Sequence, residues 1–299
     1  MNVRPLLLMG CLAVSAGAGA VTYTPLSLVD DPLVWGIQGS LPAQACALSG
    51  NGLVTAFSSA ASNLVPSDRN GVSDVFVQLG ANLIRSSRRA SGAEARETSE
   101  QPALSDTGRY VAFLSADDLL DSGDPVTRAA FWLDRQTQTL KVASRALSGI
   151  AALASQVTIS GDGRYVVFDS VASNIVAGDL NLSPDVFRFD TQTDTTQLVS
   201  STAAGVLGNS SSTRPSVDDS GTLIAFESTA TNFVAGDSAL KDVFVKDMAS
   251  GAIVRASQSS TGVAGNFASA KGRIAANGNF VVFESASSNL DLASPKGTG

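Results

Sequence analysis

The chain repeats itself with a period of about 57 residues, which restricts it to an array of similar supersecondary units, each burying its apolar face against the next. Five phenylalanines keep the register, Phe57, Phe113, Phe168, Phe226 and Phe283, with gaps of 56, 55, 58 and 57 residues. The same short text precedes each: SGNGLVTAF, SDTGRYVAF, SGDGRYVVF, DDSGTLIAF and AANGNFVVF. A glycine stands in each turn of that text, at Gly52, Gly108, Gly163, Gly221 and Gly278, where a tight hairpin needs a positive φ.

Each unit divides into four strand-sized pieces. The first is short, as in Pro102–Ser105, Val157–Ser160 and Pro215–Asp218, and the second ends on the marker phenylalanine. The third reads Asp74–Val77, Ala130–Leu133, Asp185–Arg188 and Asp242–Val245. The fourth ends on Ser87, Ser144, Ser200 or Ser257 and mixes in Arg85, Lys141, Gln197 and Arg255, which suits an outer edge strand. Strands one to three are apolar enough to be buried on both faces. Four short strands per unit with turn signals between them predict an all-β protein, a β-propeller of four-stranded blades. The blades run 42–101, 102–156, 157–213, 214–270 and, incomplete, 271–289, with a tail at 290–299. Pro25–Val29 and Leu33–Ile37, in the lead 21–41, could supply the missing strands of the fifth blade and close a five-bladed ring; the alternative is a chain whose relatives carry more blades.

Composition narrows the chemistry. The chain has no histidine, which removes Ser-His-Asp and Cys-His catalysis and histidine metal sites, and leaves carboxylate chemistry and all-oxygen metal sites. A net charge of −7 repels phosphate backbones, so no nucleic acid is expected as a partner. Arg85, Arg88 and Arg89 form one basic cluster, expected on a solvated loop or strand edge. Residues 1–20 read as a signal peptide: Arg4, an apolar stretch from Leu6 to Val14, and Ala18-Gly19-Ala20 before Val21. That stretch is too short to span a bilayer, so the expectation is an exported protein, periplasmic or secreted, with no membrane span. Leu8-Met9-Gly10-Cys11 also looks like a lipoprotein box, a less favoured reading. The mature chain would keep Cys46 alone, expected as a buried inert thiol.

The third unit carries Ser160, Asp162, Gly163, Arg164, Tyr165 and Phe168, then Ala172, Ser173, Asn174, Gly178 and Asp179, then Asp185, Val186, Phe187 and Asp190. This text resembles the TolB-type, WD-repeat-like propeller repeat of exported bacterial proteins, and the resemblance covers roughly Pro42 to Asn289. It implies the propeller fold and a role in binding other envelope proteins. The second unit departs most, with Asp117-Asp-Leu-Leu in place of the A-S-N-L text and Ala129 near the usual Asp. No TolB-like N-terminal domain is recognisable, so a role in the Tol system does not carry over.

Two sets of residues could carry chemistry. Between the second and third strands lie Asp68, Asn70 and Asp74, then Asp179, Asn181 and Asp185, then Asp237 and Asp242. Hard oxygen ligands at this spacing suit Ca2+; the competing reading is that Asp and Asn cap their own turns. Directly after the marker phenylalanine stand Asp169, Glu227 and Glu284, turned by strand alternation to the opposite face. They could bind a cation or a sugar, serve a glycosidase, or pair one blade with the next. Ser238-Ala-Leu-Lys241 matches the Ser-x-x-Lys spacing of acylases but lacks their partner motifs. The expectation is therefore a non-enzymatic binding or scaffold module for an envelope protein or glycan. The alternative is a carbohydrate-active hydrolase or lyase using Asp169, Glu227 and Glu284.

Overall fold

The alternation that buries Phe57, Phe113, Phe168 and Phe226 is realised as antiparallel sheet in the computed structural model, which describes residues 12–17, 20–25, 39–125 and 128–290. The chain divides into two compact units, residues 1–141 and 142–299.

The first unit begins with a hairpin of β1 (Leu12–Gly17) and β2 (Ala20–Pro25). The first blade follows as β3 (Gln44–Leu48), β4 (Val54–Ser59), β5 (Asp74–Leu79) and β6 (Asn82–Arg85). The second is β7 (Ser99–Leu104), β8 (Tyr110–Ser115), β9 (Ala129–Asp134) and β10 (Thr139–Val142). The second unit holds β11 (Gln156–Ile159), β12 (Tyr165–Ser170), β13 (Asp185–Asp190) and β14 (Thr195–Leu198). It continues with β15 (Ser212–Val217), β16 (Leu223–Ser228), β17 (Asp242–Asp247) and β18 (Ile253–Arg255). A fifth blade is described as β19 (Ser269–Ile274) and β20 (Val281–Ser285). In every four-stranded sheet the strands lie in chain order, the meander of a propeller blade.

Within each unit the first strand of a blade lies over the sheet before it: β7 over β3, β4 and β5; β15 over β11, β12 and β13; β19 over β15, β16 and β17. This buries β4, β12 and β16 almost end to end, and β8 is buried to the same degree. The marker phenylalanine pairs across the sheet with a third-strand phenylalanine: Phe57 with Phe76, Phe113 with Phe131, Phe168 with Phe187, Phe226 with Phe244. Their rings stack with centroids 5.6 to 6.1 Å apart, and all eight are fully buried.

All five predicted turn glycines have positive φ, from 68° to 77°. Gly108 and Gly221 are constrained twice. A Cβ on Gly108 would come within 2.5 Å of Val54, and one on Gly221 would overlap the Tyr165 ring, each on the preceding blade.

Three expectations are corrected. β3 is mostly exposed, because it is the first strand of the first blade and has no preceding blade in its unit to cover it. Phe283 is half-buried, because among the described residues its blade has no third strand to supply a stacking phenylalanine. Cys46, on β3, is exposed and disulfide-bonded, not a buried thiol; Cys11 lies outside the described residues. So do most of the expected signal peptide and ring-closing segments, although Leu12–Gly17 and Ala20–Pro25 pair as the hairpin.

Candidate functional site

The three acidic loops hold their carboxylates in one arrangement. The aspartate that opens the third strand, Asp74, Asp185 or Asp242, is fully buried or nearly so. Its Oδ1 accepts the hydroxyl of the serine that ends the fourth strand, from Ser87 at 2.5 Å, Ser200 at 2.6 Å and Ser257 at 2.6 Å. Each serine oxygen in turn accepts the amide of Val75, Val186 or Val243. The repeated serine is thus the partner of the repeated aspartate. In the second blade Ala129 replaces the aspartate, and Ser144 donates to the Ala152 carbonyl instead.

Asn70 and Asn181 cap their turns. Each donates Nδ2 to its aspartate, at 2.8 and 2.9 Å, and to a loop carbonyl, Ala95 or Gly208. Each accepts an amide two residues on, from Val72 or Ser183. Their side-chain carbonyl oxygens thus close the turns.

In two of the loops the cation is part of the chain. Arg85, at the end of β6, places Nη1 3.2 Å from Asp68, 3.3 Å from Asp74 and 2.8 Å from Glu94. Arg255, at the end of β18, lies 2.6 Å from Asp237 and 3.6 Å from Asp242. Both arginines are buried. Arg89 is buried as well, with Nη1 3.1 Å from Asp117 and Nε 2.6 Å from Asp121 of the second blade. The basic cluster of the first blade is therefore not a solvated patch: two of its three members are interior ion-pair partners. The charge cluster Arg89, Arg96, Asp117, Asp118, Asp121 and Asp124 lines a shallow hollow of about 320 Å³.

In the third loop Asp179 and Asp185 have no arginine. Burial pushes the Asp185 carboxyl up to about 6, with the Asp179 charge adding to the rise and the bonds from Ser200 and Asn181 opposing it. Burial also raises Asp179.

Two members of the second predicted set, Asp169 and Glu227, serve blade-to-blade contact. Asp169 and Glu227 are buried, whereas Glu284 is exposed. β15 and β19 each carry a bulge, and the bulge residues Arg214 and Lys271 have φ of 55°. A positive φ costs an L-residue about 1 kcal/mol or more. Each bulge turns its amide back onto the preceding blade: Arg214 N donates to Asp169 Oδ2 at 3.3 Å, and Lys271 N to Glu227 Oε1 at 2.6 Å. Glu227 also pairs with Lys241 at 3.3 Å and lies 3.8 Å from Arg214, while Lys271 pairs with Glu284. Lys241, the lysine of the acylase-like spacing, is thus an ion-pair partner of Glu227.

Sequence reasoning missed the repeated Arg–Asp fork that ties the second strand to the third. Arg109 reaches Asp134 with two bonds of 3.0 and 2.7 Å, and Arg164 reaches Asp190 with two of 2.9 and 2.6 Å. These arginine bonds hold both carboxyls down at about 2. In the third blade the D-G-R-Y and D-V-F-x-x-D texts contain both partners, and the cross-strand pairing of Tyr165 with Asp190 brings them together.

No protein-family model matches the chain, and no curated protein matches it by sequence. Among solved structures it is similar to TolB from Acinetobacter baumannii, at 15% identity and a TM-score of 0.49, over 82% of this chain and 49% of that one. It is also similar to the β-propeller domain of the trilobed protease from Pyrococcus furiosus, at 12% identity and 0.42, over 73% and 58% of the two chains. A third is the hydrazine synthase of Kuenenia stuttgartiensis, at 13% and 0.43, over 84% and 57%. The chain spans about half the length of the Acinetobacter protein. Likeness at this level carries no activity across, and the fold rests on the chain's own four-stranded sheets. The chain's four-stranded antiparallel meander sheets are the blades of a β-propeller.

Proposed function

We propose that this chain is an exported, non-enzymatic propeller module that binds a protein or glycan of the cell envelope. The observation that carries the reading is the use of Asp169 and Glu227. Both are buried and hold the bulge amides of the following blade, so neither carboxyl stands free beside the other as a glycosidase acid–base pair requires. Glu284 is exposed and paired with Lys271, so it is not a buried partner for them. With these two carboxyls occupied in this way, the propeller leaves its loops and sheet edges for contact with partners. Export rests on the N-terminal sequence; among the described residues no helix is long and apolar enough to cross a membrane.

The test is to produce the full chain in a bacterial host, fractionate the cells after cross-linking, and read the N-terminus of the recovered protein. Recovery outside the cytoplasm with Val21 first, cross-linked to an envelope protein or retained on envelope glycan, supports the proposal. Retention in the cytoplasm with Met1 in place, or cleavage of the glycan it is mixed with, overturns it.

A further inference from the structure

The acidic loops differ in one respect that charge balance brings out. The residue two before the closing serine of the fourth strand is Arg85, Val142, Leu198 and Arg255 in the four complete blades. Arg85, Leu198 and Arg255 occupy one place in the sheet, each opposite the third-strand phenylalanine. Where the arginine is present, in the first and fourth blades, it faces two buried carboxylates. In the second blade Val142 replaces the arginine, Ala129 replaces the buried aspartate, and the remaining Asp124 is not fully buried. The third blade alone keeps both carboxylates without the arginine. Its counterpart of Glu94, across the small bridge beyond the fourth strand, is Leu207.

Asp179 is 2% exposed and Asp185 0%. Asp185 accepts from Ser200 on Oδ1 and from Asn181 on Oδ2. Oδ1 of Asp179 has no hydrogen-bond partner. The same atom of Asp68 and of Asp237 faces the arginine, at 3.2 and 2.6 Å. The orphaned oxygen therefore points to the place that the guanidinium takes in the sibling blades. Two ionised carboxylates buried without a counter-charge are costly, and the cost is relieved by pairing or by metal coordination.

We propose that Asp179 and Asp185 hold a hard cation of the calcium class in the position that Arg85 and Arg255 fill in the first and fourth blades. The donors are all oxygen, as such an ion requires, and the carboxylate charge suffices for a divalent ion. Leu180 and Leu182, both 82% exposed, keep the loop at the surface, so an ion can enter and water can complete its shell. The two arginine-bearing loops, by the same argument, take no ion.

The test is calorimetric titration of calcium chloride into the chelator-treated full protein, with parallel thermal unfolding, for the wild type, Leu198→Arg and Asp179→Asn. A saturable heat is expected for the wild type, with a Tm rise of about 5 °C or more once calcium exceeds Kd a hundredfold. Both responses should vanish in Leu198→Arg, which supplies the sibling blades' guanidinium, and in Asp179→Asn, which keeps the side-chain shape. If Leu198→Arg does not fold, Asp179→Asn carries the comparison. The proposal is overturned if the wild type shows neither heat nor Tm shift up to about 10 mM calcium, above the range of weak extracellular sites. It is also overturned if the response survives in the folded variants. A wild type that ignores calcium but gains stability as pH falls would mean that the pair shares a proton instead, which equally overturns it.

Discussion

Asp179→Asn in the presence of chelator should make the protein more stable at pH 7. The wild type buries Oδ1 of Asp179 without a partner next to a second carboxylate. An unsatisfied buried polar group costs about 1–3 kcal/mol, and an asparagine amide at that position can donate to Asp185 instead of repelling it. The expected gain is therefore about 1–3 kcal/mol, or roughly 2–10 °C in Tm for a chain of this size. The gain should depend on pH. Burial pushes Asp185 up to about 6 in the folded protein, above the ordinary 3.8 of an aspartate carboxyl, so the folded state binds more protons than the unfolded state between these values. Stability must then fall as pH rises through that window, by about 3 kcal/mol for a group this deeply buried. As the pH falls below 6, Asp185 takes up a proton, the repulsion between the two carboxylates is lost, and the gain from Asp179→Asn should shrink. The assay is urea unfolding of both proteins from pH 4 to 8 with chelator present. A variant no more stable than the wild type at pH 7, or a gain of equal size at pH 4 and pH 7, would refute the reasoning, because Asp179 would then have a partner within the chain.

Arg85→Leu should destabilise the protein by about 3–5 kcal/mol in urea unfolding, since it leaves Asp68, Asp74 and Glu94 without their cation. Gly221→Ala should lower Tm clearly, because the new methyl meets a positive φ and the Tyr165 ring together; Gly262→Ala, which also has positive φ but open space, should cost only about 1 kcal/mol. Asp190, held at about 2 by Arg164, contributes stability that is fully present above 3.8 and lost as pH falls through 2. Because Arg164 is about a third exposed, solvent screening trims this to about 1 kcal/mol, measurable as a shallower acid limb in Asp190→Asn.

The fold was legible because its determinants are local. The marker phenylalanine, the turn glycine and the serine closing the unit recur at nearly fixed spacing, and strand alternation alone assigns the phenylalanine to the core. The roles of the charges were less legible because their partners are set by register and by the neighbouring blade. Arg85 and Asp68 are 17 residues apart in a loop-rich stretch, and nothing short of the strand pairing puts one over the other. The bulge amides of Arg214 and Lys271 leave no side-chain signature, so the use of Asp169 and Glu227 as joints could be seen only as one of several readings. The difference among the acidic loops was present in the sequence as Arg85, Leu198 and Arg255. It acquired meaning only once these three residues were seen to share a place opposite Phe76, Phe187 and Phe244.

Glu227 separates the joint from the catalytic acid most directly, because it holds Lys271 and Lys241 at once. The measurement is Tm together with the release of reducing ends from envelope glycan, for the wild type and Glu227→Gln. If Glu227 is a joint between blades, the wild type releases none and Glu227→Gln lowers Tm by several degrees. Release of reducing ends by the wild type, abolished in Glu227→Gln at unchanged Tm, would mean that this carboxylate performs chemistry and that the module is a hydrolase.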